Sequence, residues 1–577
     1  EGSAVGKAQH STRSRVSAST GIKIVVPLQL TQDHREPMAS GANYRKPEMF
    51  DFFSARRPST LASSAMIATS HPLSTSAGHE ILTKGGNAVD AAIAAVAVQC
   101  VVDPLMTGIG GDCFALYAPI GGKVKALNGS GRAPAAATVE ALRNAGLTDE
   151  IPQTSPHSVT IPGAISGWCL LHKDHGSLPM DQLFARAIKY AENGYPVTPR
   201  VAMDWAANAD LVAGDEHAEK LFLPNGKAPK AGDMHAHPLL AESLRIIAKK
   251  GAAGFYEGDV AAKMAAHLQS LGGLHTEADF HEGRDQAHWV EPISSRYGDH
   301  DVFECPPNGQ GLAALLILRI LSRFDMGKGL SDADRIHLHA EATKLGYHHR
   351  DALIADPADC PDVVETLLSD EVVDALAARI DMRRAMPPTL WNEPEHKDTI
   401  YLSVVDAQGN ALSFINSIFH GFGSTRLDPT TGVLFHSRGA SFRLNEGHPN
   451  AIAPRKRPMH TIIPGMLCKD GVAVMPFGVM GGHYQAAGHA AFLSGVLDLG
   501  MDIQEAMDAP RSFAHDGVLD IEPSVALEVR EDLAARGHVL ALQESPIGGS
   551  QAIYIDPDTG LLTGGSDSRK DGMALGF

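Results

Sequence analysis

Short apolar strand patterns lie at both ends of this chain, and helical patterns fill the region between them. The first strand patterns cover residues 65–70 and 113–117, and helical patterns broken by Pro and Gly extend over residues 180–385. Strand patterns dominate again from residue 400 onward: 400–405, 411–415, 432–435, 461–467, 472–477 and 550–555. Strand-rich segments at both ends, with helices between and after them, predict stacked sheets flanked by helices.

Two helices are predicted near the start of the ordered region. A helical pattern over residues 73–84 is ended by Gly85 and Gly86, and Asn87 then caps a second helix over residues 88–102. Ala, Val and Ile make up most of the second helix, so this helix is expected to pack tightly on several sides. The glycine cluster that follows, residues 108–111, is by itself typical of a tight helix-to-strand turn.

Residues 1–60 are predicted to form a poorly ordered leader. This segment is rich in Ser, Thr, Gly, Arg and Lys and has no sustained hydrophobic period. Such a composition offers little apolar surface to bury.

The composition restricts the class of partner. The formal net charge is −18, whereas a nucleic-acid site needs a concentrated basic surface, so no nucleic-acid partner is expected. No run approaches the roughly 18 apolar residues that cross a bilayer, so no membrane span is expected either. The six cysteines are scattered without a C-x-x-C pair, which is typical of core thiols in a reducing compartment. We therefore expect a cytoplasmic protein.

The segment that says most about chemistry is Lys397-Asp398-Thr399, directly before the strand pattern at 400–405. Taken alone, a Thr in this place is most often a β-branched residue at a strand start. Further motifs follow one another along the chain: Gly85-Gly-Asn-Ala-Val-Asp-Ala-Ala92, Gly108-Ile-Gly-Gly-Asp112, Val159-Thr-Ile-Pro-Gly163, Ser403-Val-Val-Asp406, Arg457-Pro458, Met480-Gly-Gly482, Ala509-Pro-Arg511 and Gly565-Ser-Asp-Ser568. With these motifs, the chain from about residue 65 to its end resembles the gamma-glutamyltranspeptidase family of N-terminal-nucleophile hydrolases.

The resemblance implies an α/β (α+β) fold, a four-layer αββα sandwich of two stacked, mainly antiparallel sheets flanked by helices. It also implies that the chain cuts itself, because the Thr399 hydroxyl would attack the carbonyl of Asp398 and the resulting ester would hydrolyse. The products would be a large fragment, residues 61–398, and a small fragment, residues 399–577. The two fragments are expected to pair as a heterodimer, and a dimer of heterodimers is a further alternative.

Elementary chemistry agrees with such a role for Thr399. Cleavage would give this residue a free α-amino group, whose reference pKa of about 7.7–8.0 makes it a usable base near neutral pH. One residue would then supply both nucleophile and base. The family's glycine pair maps onto Gly481 and Gly482, whose N–H groups are predicted to bind the oxyanion, with an ordinary turn as the alternative. Ser417 stands where the family has a Thr that hydrogen-bonds the nucleophile.

The predicted acyl pocket departs from the family pattern. Glutamyl-specific members hold the substrate's α-carboxylate with an Arg and two Ser, and its α-ammonium group with acidic or amide side chains. Here the Arg position falls on Ser130, with Arg132 two residues later, and His460 and Thr461 replace the Ser pair. The residues that would meet the ammonium group are also changed, to Phe419, Arg438 and Ser441.

These changes predict an anionic acyl group. An ammonium group would lose its carboxylate partner in a closed site, and Arg438 would repel it further. Arg438 would instead bind a carboxylate through two parallel hydrogen bonds. We therefore expect a small-molecule amide of an acid without the amine, such as oxamate or a succinyl or glutaryl amide. The pattern resembles the subgroup of oxamate amidohydrolases and cephalosporin-acylase-like proteins. The alternative for Arg438 is a side chain that points into solvent.

Three hypotheses of function remain open on the sequence. They are the self-cleaving amidohydrolase, a glutathione hydrolase of ordinary family specificity that uses Arg132 in place of the missing Arg, and an unprocessed homologue that only binds. Residues 442–454 look shorter than in members with a lid over the pocket, so hydrolysis is expected to exceed transfer to an amino acceptor.

No cofactor or metal is expected. Four histidines lie in one helical region, and none form H-E-x-x-H or another spacing that puts two ligands on one face: His337, His339, His348 and His349. His483, directly after the glycine pair, is a further functional candidate, with a plain helix start as the alternative.

Overall fold

The computed structural model describes residues 56–327, 329–387 and 399–577. The predicted cleavage residue Asp398 and most of the predicted leader lie outside the described residues.

The strands cluster before residue 130 and after residue 399, as the sequence predicted, but five more strands lie between residues 195 and 304, where only helical patterns were predicted. Their bounds are β1 Thr60–Ala62, β2 Met66–Thr69, β3 Asp112–Ala118, β4 Lys125–Gly129, β5 Tyr195–Pro196, β6 Met234–His235, β7 His288–Val290, β8 Ile293–Tyr297, β9 His300–Glu304, β10 Ile400–Val405, β11 Ala411–Ser417, β12 Gly465–Lys469, β13 Val472–Met480, β14 Ser512–His515, β15 Val518–Ile521, β16 Leu540–Leu542, β17 Gly549–Ile555, β18 Leu562–Ser566 and β19 Met573–Gly576.

Two seven-stranded sheets form the centre of the molecule. The first has the order β1-β18-β17-β13-β12-β9-β8 and the second the order β19-β2-β10-β11-β3-β4-β7. Neighbouring strands are antiparallel throughout both sheets. A small sheet, β14-β15-β16, and a two-stranded pair, β5-β6, lie apart from them.

Helices cover the outer faces of the sheets. Their bounds are α1 Pro72–Thr83, α2 Ala88–Val102, α3 Val139–Asn144, α4 Ala164–His175, α5 Met180–Asn193, α6 Pro199–Ala207, α7 Ala209–Val212, α8 Glu216–Phe222, α9 Pro238–Lys250, α10 Ala253–Tyr256, α11 Gly258–Ser270, α12 Glu277–Gly283, α13 Gly311–Leu321, α14 Asp332–Leu353, α15 Val363–Leu368, α16 Asp370–Ala377, α17 Tyr484–Leu497, α18 Ile503–Asp508 and α19 Leu527–Ala535. Within the described residues, none of these helices has the length and apolar character needed to cross a bilayer.

The alternation of side chains along β10 shows how the layers stack. Tyr401 and Val405 point into the core between the two sheets, where they join residues of both sheets such as Phe114 and Met466. Leu402 and Val404 point the other way, into the core shared with α1, α2, α4 and α5. A third core packs α13, α14 and α17 on the outer face of the first sheet. Since side chains of a strand point alternately to its two faces, β10 is covered on both, and the four-layer αββα prediction is confirmed.

Helix α2 agrees with its prediction in detail. It spans Ala88–Val102 with every residue buried, and Asn87 closes a capping box with Asp90. The Asn87 side chain accepts hydrogen bonds from the N–H groups of Val89 and Asp90. A helix of small apolar residues therefore lies inside the fold, directly against β10 and β11.

Two strand predictions are corrected. The strand predicted over 432–435 is wrong, because the Gly432 N–H closes a turn onto the Asp428 carbonyl, and Leu434 and Phe435 form only isolated bridges. The strand predicted over 461–467 begins only at Gly465. At the other end, β1 starts at Thr60, at the boundary of the predicted leader, and pairs with β18.

Candidate active site

Thr399 lies directly before β10, a central strand of the second sheet between β2 and β11. The residue is 1% exposed. Its Oγ1 donates a hydrogen bond to Ser417 Oγ at 3.2 Å. Ser417 ends the neighbouring strand β11, whose register pairs Ile400 with Asn416. The hairpin register therefore brings the two hydroxyl groups together, as predicted for Ser417.

A second side chain, that of Gln485, reaches the Thr399 hydroxyl, and the sequence analysis did not find it. Gln485 Nε2 lies 3.4 Å from Thr399 Oγ1 and donates to it. The amide orientation is set because Gln485 Oε1 accepts the backbone N–H of Ile463 at 3.1 Å. Since an N–H group can only donate, the nitrogen of the amide must face Thr399. The position three residues beyond Gly482, and two beyond the helix start considered as the alternative for His483, was the available signal.

Gly481 and Gly482 form the turn between β13 and α17, with φ angles of 121° and 58°. A side chain at position 481 would place its Cβ 2.9 Å from the Cα of Gly548, so the turn requires glycine at this point. The N-terminus of α17 carries partial positive charge. Because Gln485 in its first turn touches Thr399, this end of the helix lies beside the hydroxyl. The oxyanion role of the glycine pair stays a prediction.

A network of buried hydrogen bonds from Gln310 and Arg350 supports this turn. Gln310 Nε2 donates to the carbonyls of Thr461, at 2.7 Å, and Gly482, at 3.1 Å. Arg350, which is 0% exposed, donates from Nη1 to Gln310 Oε1 and to His483 Nδ1, both at 2.9 Å. His483, the N-cap residue directly before α17, is thus also a member of this network.

Arg438 is buried, with 1% of its surface exposed, so the alternative of a solvent-directed side chain is excluded. Its guanidinium carbon lies 3.9 Å from the centre of the Phe419 ring, and Nη1 donates to Thr461 Oγ1 at 3.2 Å. Phe419 has a φ of 78°, unusual for a bulky residue, and its N–H donates to Ser417 Oγ at 2.9 Å. Phe419 therefore connects the Thr399–Ser417 pair to Arg438.

The side chains of Ser441 and His460, two further residues predicted to bind substrate, form hydrogen bonds within the protein. The Ser441 hydroxyl lies 2.9 Å from the carbonyl oxygens of both Arg438 and Met459, and it holds the short 3₁₀ turn that carries Arg438. His460 is fully buried, and its Nε2 lies 2.8 Å from Ser130 Oγ. Burial, followed by the charge of Arg438, holds the pKa of His460 well below its usual value, so the ring is neutral.

The structure does not bring Arg132 into contact with the group around Thr399. Its side chain is 39% exposed, its Nη1 donates to the Arg455 carbonyl at 2.9 Å, and it lies 4.0 Å from Asp356. The cavity that Arg132 lines, about 480 Å³ with Glu282 and His288, contains none of Thr399, Ser417 or Arg438 among its lining residues in the described part of the chain. A substrate-binding role for Arg132 stays a prediction.

Two antiparallel sheets between helical layers are the architecture of N-terminal-nucleophile hydrolases, and in this chain a buried threonine stands at the start of a central strand. The chain belongs to the gamma-glutamyltranspeptidase family, whose model matches residues 74–577. It is accordingly an amidohydrolase or acyltransferase of the gamma-glutamyltransferase type.

Three comparisons describe what the chain resembles within this family. It is 36% identical to the glutathione hydrolase-like YwrD proenzyme of Bacillus subtilis, over 90% of this chain and 99% of the relative. It is 35% identical to the oxamate amidohydrolase proenzyme of Klebsiella pneumoniae, with the same coverage of 90% and 99%. Among solved structures, cephalosporin acylase from Bacillus halodurans superposes with a TM-score of 0.86 at 39% identity, covering 92% of this chain and 99% of that one.

Proposed function

We propose that the chain is a self-cleaving amidohydrolase in which Thr399 is both the cleavage point and the nucleophile. The observation that carries this proposal is the buried Thr399 hydroxyl, held between Ser417 Oγ at 3.2 Å and Gln485 Nε2 at 3.4 Å. Contacts on both sides fix the direction of the oxygen, which is what a positioned nucleophile needs. The relatives named as proenzymes support the processing step.

Cleavage would proceed in two steps. In the precursor, Thr399 Oγ1 attacks the carbonyl carbon of Asp398, and the peptide C–N bond breaks as its nitrogen takes a proton. Water then hydrolyses the ester, so that Asp398 gains a carboxylate and Thr399 keeps its hydroxyl and a free α-amine. With a reference pKa of about 7.7–8.0, this amine accepts the hydroxyl proton in each later turnover.

Turnover would reuse the same atoms. Oγ1 attacks the substrate amide carbon, and the backbone N–H groups of Gly481 and Gly482 bind the oxyanion. The leaving amine takes the proton from the α-amine, and an acyl ester on Thr399 remains. Water attacks this ester, releases the acid and restores the hydroxyl.

We propose further that the acyl group is that of a small acid, such as an oxamate-like or dicarboxylic monoamide. Arg438 is a buried cation stacked on Phe419 and directed at Thr461, close to the Thr399–Ser417 pair. A substrate carboxylate would gain charge-assisted hydrogen bonds there, whereas an α-ammonium group would be repelled. The similarity to an oxamate amidohydrolase supports this choice.

The two fragments would remain joined after cleavage. In the second sheet, β10 and β11 of the small fragment lie between β2 and β3 of the large fragment. Each hydrogen-bonds to its neighbour from the large fragment, so separation would break the sheet. We therefore propose a heterodimer of residues 61–398 and 399–577. The six free thiols, five of them buried, favour a reducing compartment such as the cytoplasm.

Processing is tested on denaturing gels with intact-mass measurement of the purified chain. The expected result is two fragments, the smaller beginning at Thr399, and one uncut chain for Thr399→Ala. Ser403→Ala is the matched control, because it also removes a buried hydroxyl from this strand but leaves Thr399 in place, and it should cleave as the wild type does. An active sample whose residues 398 and 399 are still joined would contradict the mechanism.

Substrate class is tested with Arg438→Gln. Since Arg438 would bind the substrate carboxylate, kcat/KM for oxamate and succinamate should fall by roughly 10–100-fold, as for the loss of a charge-assisted hydrogen bond. Arg245→Gln, which removes a partly exposed cation paired with Glu192 and Glu242, is the matched control and should leave both rates unchanged.

A glutathione hydrolase of ordinary specificity is the second candidate, because the relative of 36% identity is named glutathione hydrolase-like. A γ-glutamyl anilide hydrolysed faster than every acid amide tested would favour this candidate. In the same assay, a dipeptide acceptor should change the rate little if hydrolysis dominates, and prevailing transfer product would contradict that expectation.

A further inference from the structure

Three potential metal ligands come together at a place remote from Thr399. His337 and Glu341 lie four residues apart on α14, and His538 follows α19, just before β16. Their ligand atoms all lie within 4.8 Å of one another. The three residues are buried, with 0%, 0% and 6% of their surface exposed. The sequence argument against a metal considered only histidine ligands. His337 and Glu341, four residues apart on one helix, nevertheless lie on the same helix face.

The contacts of His337 already orient the ring for a metal. His337 Nε2 lies 2.9 Å from the carbonyl oxygen of Asp381 and must donate to it, since a carbonyl only accepts. In the neutral ring, Nδ1 therefore carries a lone pair, and this atom faces His538 Nε2 at 2.8 Å. A backbone carbonyl that fixes the tautomer in this way is the usual partner of a metal-bound histidine.

Glu341 offers a third ligand atom, and a small cavity beside the cluster offers room for a water molecule. Glu341 Oε2 accepts the Met386 N–H at 2.8 Å, which leaves Oε1 on the side of Lys344 Nζ at 2.7 Å. A cavity of about 20 Å³, lined by His538, Lys344 and Met386, adjoins the cluster. This is room for one water molecule, the fourth ligand of an open tetrahedral site.

We propose that His337 Nδ1, His538 Nε2 and Glu341 Oε1 form a divalent-metal site of the zinc type. Two imidazoles and one carboxylate are a common ligand set for Zn²⁺. Binding moves the His538 proton from Nε2 to Nδ1 and separates the two ring nitrogens to roughly 3.3 Å, the spacing of tetrahedral ligands at about 2.0 Å from zinc. The Lys344 ammonium group leaves Glu341 Oε1 at the same time, so this residue competes with the ion.

The site has a structural use. His337 and Glu341 lie before residue 398 and His538 lies after it, so one ion would link the two fragments. The segment 381–386 is held here as well, because Arg536 Nη1 donates to the Met382 carbonyl and the Ala385 N–H donates to the Arg536 carbonyl. The linking role rests on the proposed cleavage at Thr399, whereas metal binding itself does not.

The test is zinc content and affinity of the full chain. Chelator-treated protein is titrated with Zn²⁺ against a chromophoric chelator, and bound metal is counted by mass spectrometry. We expect one ion per chain, with affinity at least about tenfold weaker in His538→Ala and in Glu341→Gln. His348→Ala, an exposed histidine on the same helix, is the matched control and should bind as the wild type.

Lys344→Met keeps the proposal falsifiable if a ligand variant fails to fold. Loss of the competing ammonium group should tighten zinc binding by about tenfold, and bound Co²⁺ should give the visible absorption of a tetrahedral site. No stoichiometric zinc in the wild type, or equal affinity in the wild type and the foldable variants of His538, Glu341 and Lys344, would overturn the site. Failure of Thr399 to cleave would leave these measurements unchanged, so the two proposals fail separately.

Discussion

At the scale of single residues, the side chain with the most direct test is Gln485. Its Oε1 is held by the Ile463 N–H, so its Nε2 has one direction, toward Thr399 Oγ1. Gln485→Glu keeps the shape but replaces the donor with an acceptor that faces the hydroxyl. We expect kcat of the processed enzyme to fall by about 10–100-fold, as for the loss of one buried hydrogen bond at a reacting group.

The control for this prediction is Gln182→Glu, the same change on an exposed position of α5. Steady-state rates and the fraction of cleaved chain on a gel measure both variants. Equal rates for Gln485→Glu and the wild type would show that the Gln485 amide does not contribute to catalysis.

The sequence predicted the place of a residue in the site where a family motif specifies that residue. It did not predict a residue whose place in the site depends on a contact made only in the folded chain. The motifs placed Thr399 and Ser417 correctly as neighbours, and residue exchanges singled out Arg438, which is buried beside them. Gln485 was not predicted because its amide is oriented by the Ile463 N–H, a partner 22 positions away in the chain. Ser441 was expected to face substrate, but its hydroxyl is directed at two backbone carbonyls, which no sequence pattern specifies.

At the scale of elements, the turn between β13 and α17 carries the two predicted oxyanion donors, the N–H groups of Gly481 and Gly482. Gly481→Ala would force a Cβ to within 2.9 Å of the Gly548 backbone at a φ of 121°. Because backbone cannot move aside as a flexible side chain can, the turn should shift and the predicted oxyanion donors with it. We expect kcat to fall by about 10²-fold or more, as when one such donor is lost.

Gly471→Ala is the matched control for the turn variant. Gly471 lies at the opposite end of β13 with a φ of 81°, and among the described residues, its two chain neighbours apart, no atom lies within 4 Å of an added Cβ. This change should cost about 1 kcal/mol of stability through backbone strain and leave kcat unchanged. A similar loss of activity in both variants would mean that strain alone, and not the position of the turn, is responsible.

Elements were predictable from sequence to the extent that their own residues determine them. Asn87 and the small apolar residues after it specify α2 without help from the rest of the chain. The apolar run at 432–435 does not become a strand, because Gly432 turns back onto Asp428 before a neighbouring strand is available. Pairing in a sheet depends on partners that are distant in the chain, so a short apolar run alone cannot specify it.

At the scale of the whole molecule, buried histidines destabilise the folded state as the pH falls. Burial lowers the pKa of His71, His237 and His420 to about 3, and those of His235 and His275 to about 4. In the unfolded chain each would titrate near 6.5. Between about pH 6.5 and 4 the unfolded state therefore binds protons that the folded state does not, and the free energy of unfolding falls as pH falls.

This difference predicts that the urea concentration at the unfolding midpoint decreases when the pH is lowered from about 7.5 to 5. The free energy of unfolding should fall by a few kcal/mol over the same range, and the protein should take up protons when it unfolds. His71→Asn should reduce that uptake by up to about one proton, because Asn keeps an acceptor for the Leu73 N–H, the capping contact that His71 makes now, without a titrating ring. His281→Asn, at a side chain that is 65% exposed, should leave the uptake nearly unchanged. A midpoint that stays level or rises toward acid would mean that these rings take up protons inside the folded molecule, and that burial does not keep them neutral.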